Sequence, residues 1–213
     1  MNITYNKLTV NCFLYMKTQQ IERIYYDVSI HLSLDSYKNE LMQLDVPLIE
    51  QEDDFSCTPL CILMVLKFII DRFRSGFPDL DLEKISESIK TSTDKGGTTF
   101  ENIENINCLF NKTNPSLEII PGFRHKFKEI VEEVKKKEIP VIAWVLMHDP
   151  KGPYEHSIVI TDVDEDNLLI YRNDPVYGKG TIPARQFMEM WNGCLRILIK
   201  FKIGEKVTLF DFS

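Results

Sequence analysis

Between Cys57 and Phe73 apolar residues follow one another with few polar breaks, the pattern of a helix buried on most sides. Pro59 fits its first turn, where a missing N–H costs nothing. The segment Val46-Pro47-Leu48-Ile49 leads in as extended chain, because Pro47 is excluded from a helix interior. A second helix is predicted over Asp81 to Lys90, with Asp79 or Asp81 as its cap. After a turn at Gly96-Gly97, a third helix reaches about Phe110. Thr98 or Thr99 caps it, and Thr98 with Glu101 has capping-box spacing. Leu117 to Ile120 reads as a short strand. Phe127, Ile130, Val131 and Val134 then share one face of an amphipathic helix from Phe123 to Lys137.

The period changes after that helix. Pro140 to Leu146, His156 to Val163 and Leu168 to Arg172 read as strands, the last two joined by the polar turn Asp164-Glu165-Asp166-Asn167. Pro183 to Trp191 is a short helix with proline as its N-terminal signal. Leu195 to Ile203 and Lys206 to Phe212 close as a hairpin across Gly204-Glu205. At the other end, residues 1–44 alternate in places (Ile24 to Leu32), which predicts one or two strands in an N-terminal extension ahead of a domain over residues 45–213. Helices first and strands last imply an α+β fold with an antiparallel sheet.

Composition narrows the function classes. With 44% hydrophobic and 27% charged residues the chain has the apolar material for a sizeable core. A net charge of −7 argues against nucleic acid as a partner, since phosphate binding needs a concentrated basic surface. The basic run Lys135-Lys136-Lys137 reads as a solvated helix end. No apolar run is long enough to cross a membrane, and the N-terminus lacks the features of a signal peptide. The five cysteines are scattered and odd in number, so reduced thiols in a cytoplasmic protein are expected.

Four residues carry candidate chemistry. Cys57 stands where a polar turn meets a helix start, and the free N–H groups and positive dipole there favour a thiolate. Gln51, just ahead of that helix, can aim its amide at an oxyanion beside the Cys57 N–H. His156 is placed at the mouth of an apolar strand after the Pro/Gly loop Asp149 to Pro153, and Asp174 at the end of the next strand. If those strands pair, a carboxylate or amide from Asn173-Asp174 can accept from His156 Nδ1–H and fix the ring's tautomer. Each residue alone has a bland reading. Together they have the roles of nucleophile, oxyanion donor, base and orienter in acyl transfer.

The segment Gln51-Glu-Asp-Asp-Phe-Ser-Cys57 after Val46-Pro47 resembles the active-site helix start of the bacteriocin-processing, or double-glycine leader, cysteine peptidases, family thirty-nine of the papain-like clan. Pro140-Val141-Ile142-Ala143, His156 with its hydrophobic strand, Asp174-Pro175 with Gly178, and the helix ending at Trp191 are similar to that family's second half. The resemblance covers roughly residues 46–195. It implies a papain-like α+β fold and hydrolysis of a peptide or protein substrate by a thiol, without cofactor or metal. Cys57 is then nucleophile, His156 base and acid, Asp174 orienter and Gln51 oxyanion donor. Ser56 and Thr58 depart from the Asp/Asn-Cys-Gly commonly found there, and no fused membrane transporter is present in the chain.

The same triad would serve acyl transfer or deamidation, and an inactive relative would use the groove as a peptide-binding module. Cys61, one turn after Cys57, reads as core, as do Cys108, Cys194, Trp144 and Trp191. His31 and His125 read as structural or surface residues, and His148 is the reserve base.

Overall fold

The computed structural model describes residues 43–73, 81–110 and 117–204. These belong to one compact unit, Leu41–Ser213. The expected strand at Ile24 to Leu32, the hairpin arm Lys206 to Phe212, and Asp79, Cys12 and His31 lie outside the described residues.

Helix α1 (Cys57–Phe73) is buried almost without interruption from Thr58 to Leu66, as its run of apolar residues requires. Helix α2 (Leu82–Ser88) is capped by Asp81, whose Oδ1 accepts from the Lys84 N–H at 2.9 Å. The third predicted helix is a 3-10 segment, Phe100–Ile106, widening into the short α3 (Asn107–Phe110). No capping box forms at Thr98. Its hydroxyl bonds that of Thr91 instead, at 2.6 Å.

Six antiparallel strands follow: β1 (Leu117–Gly122), β2 (Val141–Asp149), β3 (Gly152–Asp164), β4 (Leu169–Asp174), β5 (Gly178–Pro183) and β6 (Leu198–Ile203), in the order β1-β6-β2-β3-β4-β5. Helix α4 (Phe127–Val131) precedes β2 and continues as a π-helical turn, Glu132–Lys136. Strands β2 and β3 are buried through Val141–Val145 and His156–Val163 without alternation, so both faces are covered. Helices α1 and α5 (Ala184–Gly193) pack against this hairpin. Trp191 of α5 is fully buried, stacks on Phe187 and donates its Nε1–H to the Ile197 carbonyl at 2.7 Å.

Several expectations are corrected. β5 is absent from the sequence reading because Gly178 and Gly180 interrupt its pattern. β6 begins at Leu198, since Leu195 and Arg196 take left-handed backbone that a strand cannot contain. Lys135 is no solvated helix end. Its Nζ lies 3.1 Å from the buried Asp162, and Lys137 bonds Glu133. Cys108 is exposed on α3, whereas Cys61 and Cys194 are buried as expected.

The extended lead-in is stitched to the strands that hold the site. A register shift between Ile160 and Asp162 frees the Thr161 carbonyl, which accepts the Leu44 N–H at 3.1 Å. The Asn173 amide donates to the Val46 carbonyl at 2.8 Å.

Candidate active site

The approach to α1 is built by Asp53. Its Oδ1 accepts from the N–H groups of Phe55 and Ser56, at 2.8 and 2.7 Å, and turns the chain into the helix. The Gln51 N–H donates to the Pro175 carbonyl at 2.8 Å, which ties this loop to the residue after Asp174. Cys57 is the first residue of α1 and is half-buried. Its sulfur therefore sits at the positive pole of a 17-residue helix.

His156 lies within β3, opposite Val145 of β2, and is 4% exposed. The expected flexible loop before it is a closed hairpin. Asp149 Oδ1 accepts from the N–H groups of Lys151 and Gly152, and the strand is already formed four residues before the histidine. A rigid ladder, not a mobile strand mouth, sets the imidazole.

Asp174 ends β4. Its Oδ1 is 2.9 Å from His156 Nε2 and also accepts from the N–H groups of Val176 and Tyr177, at 2.9 and 3.0 Å. Arg172 Nη1 approaches its Oδ2 at 3.3 Å. The ring nitrogen bonded to the carboxylate is thus Nε2, where the sequence reading has Nδ1. Nδ1 is the ring nitrogen left over, and Cys57 and His156 each shift the other's pKa. Asn173 is engaged elsewhere, at Val46, so Asp174 is the residue that meets the imidazole.

The electrostatics follow from these contacts. Burial pushes the Cys57 thiol up, but the His156 hydrogen bond and charge, the Ser157 N–H and the Thr58 hydroxyl outweigh it and lower the pKa below the ordinary value. Burial pulls His156 down, yet Asp174 and Cys57 raise it to about 9. For Asp174, burial again opposes and His156 with the two backbone N–H groups prevails, holding the carboxyl below its ordinary value. All three shifts favour a thiolate–imidazolium–carboxylate row.

Gln51 is near this row but differently engaged. Its Nε2 donates to the Asp53 carbonyl at 2.6 Å, and its Oε1 is buried without a partner. Ser157 was not singled out in the sequence, and Thr58 only as a departure from the glycine common after the cysteine. Their hydroxyls lie 2.8 Å apart, and the Ser157 carbonyl accepts from Cys61 Sγ at 3.3 Å, so β3 and α1 are locked together beside Cys57. Burial, with the charges of Cys57 and Asp174, drives the Cys61 pKa well up and keeps it a neutral thiol. His148, the reserve base, is exposed near the hairpin tip. His125 pairs with Glu129 at 2.8 Å. No group of three or more His, Cys, Asp or Glu among the described residues is arranged to hold a metal. No helix among them is long and apolar enough to cross a membrane.

A helix that opens on a cysteine, packed on an antiparallel sheet carrying a histidine and an aspartate, is the architecture of the papain-like cysteine peptidases. A family model described as the Peptidase_C39 like family matches residues 43–196, and the chain belongs to that family. No curated protein matches the chain in sequence. Among solved structures it is similar to a double glycine motif protease from an AMS/PCAT transporter, solved in complex with the leader peptide. The identity is 23% and the TM-score 0.50, over 76% of this chain and 94% of that one. It is also similar to a Bacillus anthracis protein described as a C39-like peptidase, with 16% identity and a TM-score of 0.54, over 79% of this chain and 99% of that one. Both likenesses are of fold.

Proposed function

We propose that the protein is a thiol peptidase that cleaves peptide bonds through Cys57, His156 and Asp174, with Gln51 and the Cys57 N–H as oxyanion donors. The observation that carries this reading is the buried His156–Asp174 hydrogen bond at 2.9 Å, set beside a half-buried Cys57 at a helix start whose thiol the imidazole holds below its ordinary pKa. The Cys57 thiolate attacks the scissile carbonyl and the oxygen takes the negative charge between the two donors. His156, protonated, gives its proton to the departing amine as the C–N bond breaks. It then takes a proton from water, which attacks the acyl-enzyme; the C–S bond breaks, the Cys57 thiolate leaves with its electron pair, and the acid product is released. Asp174 holds the ring in the orientation that serves both transfers.

The solved relative bound to a leader peptide supports a peptide as the substrate class. The described cysteines are all unpaired, which supports a reducing compartment such as cytoplasm. Residues 1–44 are proposed as an extension to a peptidase domain over residues 45–213, with the last of them, Gln43 and Leu44, anchored on Thr161.

The test is incubation of the full chain with a proteome-derived peptide mixture, read by mass spectrometry. Wild type is expected to generate new termini with a shared sequence preference, and Cys57→Ala to generate none. Identical peptide profiles for the two would overturn the reading.

A further inference from the structure

We infer that Asp53 is a positioning residue that presets the oxyanion site, holding the Gln51 amide with its carbonyl and the turn before Cys57 with its carboxylate. The inference rests on the proposed roles of Gln51 and the Cys57 N–H.

A glutamine amide can point either its nitrogen or its oxygen at a given spot, and the two orientations have nearly the same shape. Only the nitrogen can donate. The Asp53 carbonyl, 2.6 Å from Gln51 Nε2, decides between them, because the flipped amide would set two oxygens against each other. That contact uses one of the two N–H bonds and fixes the direction of the second. It also accounts for an otherwise costly feature. Gln51 Oε1 is buried without a partner, an arrangement a free amide would escape by rotating.

The same residue sets the second donor. Asp53 Oδ1 accepts from the N–H groups of both Phe55 and Ser56, so the peptide leading into Cys57 has little freedom. Phe55 is confined from the opposite side by Gly97. There φ is +134°, and a Cβ would come within 3.3 Å of the Phe55 carbonyl. A loop held on both sides lets the donors wait in place instead of being ordered during reaction, which is where an oxyanion site gains its effect.

Two reagents separate this role from a general structural one. When 4-nitrophenyl acetate acylates Cys57, the thiolate adds to the ester carbonyl, an oxyanion forms, and nitrophenolate leaves with the electron pair of the broken C–O bond. When iodoacetamide alkylates the same thiolate, iodide is displaced directly and no oxyanion arises. The ratio of the two rates at Cys57 therefore reports the oxyanion site and is insensitive to how much thiolate is present. Acylation elsewhere is subtracted with Cys57→Ala, and continued protection of the buried Cys61 reports an intact fold.

Asp53→Ala is expected to lower the ratio by about 10- to 100-fold while alkylation stays near the wild-type rate. Asp53→Asn, which keeps an acceptor oxygen, recovers the ratio to within about threefold. Asp53→Glu, whose acceptor is displaced by a methylene, behaves like alanine and carries the test if Asp53→Ala does not fold. In a Gln51→Ala background the further loss from Asp53→Ala shrinks, because the two residues act as one unit. An unchanged ratio in Asp53→Ala, or losses that multiply fully in the double variant, would overturn the inference while leaving the proposed function intact. An unchanged ratio in Gln51→Ala alone would instead overturn the oxyanion role of Gln51, and this inference with it.

Discussion

His156 Nε2 lies 2.9 Å from Asp174 Oδ1, and that carboxylate oxygen also receives the N–H groups of Val176 and Tyr177. The aspartate is thus fixed by its own backbone turn before it meets the imidazole, and orienting the ring costs little side-chain freedom. An amide in its place would keep the geometry and lose the charge. Asp174→Asn is expected to bring the His156 pKa down from about 9, so the alkaline limb of the activity profile shifts to lower pH. A pH–rate series on wild type and variant checks this; an unmoved alkaline limb would contradict it.

The same pair makes stability depend on pH. The folded His156 pKa is raised above the ordinary 6.5, so its contribution is complete below that value and is lost as pH rises toward about 9. The folded Asp174 pKa is depressed below the ordinary 3.8, so its contribution is present above that value and is lost as pH falls through the lower folded one. The stability difference between wild type and Asp174→Ala should therefore be greatest at pH 4 to 6.5 and shrink on both sides. At its maximum it should reach about 3–5 kcal/mol, because a buried charge loses its partner. Urea unfolding across pH measures it.

Cys61 provides an internal contrast. It lies one helical turn from Cys57 and is fully buried, with Sγ donating to the Ser157 carbonyl. Alkylation of the native protein should leave it untouched at a pH where Cys57 is fully modified. Cys61→Ala should retain turnover and lose about 1–3 kcal/mol of stability from the cavity and the vacated carbonyl. Residue-resolved mass spectrometry and denaturant unfolding test the two parts separately.

Trp191 anchors α5 to the sheet through Phe187 and the Ile197 carbonyl. Trp191→Phe should cost about 1–3 kcal/mol, mostly the unsatisfied carbonyl and lost volume, and Trp191→Ala about 3–5 kcal/mol. Thermal melts of the two variants give the ranking.

Much of this site is legible in the sequence because its residues sit at element boundaries. Cys57 follows a polar turn and opens an apolar run, and Asp174 closes a strand before proline, so chain order and pattern place both. His156 meets Asp174 across the paired strands, but not from a strand mouth. The Pro/Gly segment before it resembles a loop, but Asp149 closes it into a hairpin that no periodicity announces. β5 is hidden by its glycines, and β6 starts late because Leu195 and Arg196 take left-handed backbone in the turn that ends α5, their N–H groups bonding back to Asn192 and Trp191. Thr58 and Ser157 do their work through a hydrogen bond across the fold, and Asp53 through local bonds in the turn before α1. Only for Asp53, at Asx-turn spacing before a helix, does the sequence contain a usable signal.

The central claim is a Cys57 thiolate held by His156, and residue-resolved iodoacetamide labelling across pH tests it most directly, with the exposed Cys108 as reference. Cys57 is expected to alkylate well below the ordinary thiol value of ~8.5, and faster than Cys108 at neutral pH. His156→Ala should abolish the advantage and leave burial to push Cys57 upward. If Cys57 tracks Cys108 in the wild type, or keeps its advantage without His156, the thiolate–imidazolium pair does not exist and the proposed peptidase chemistry falls.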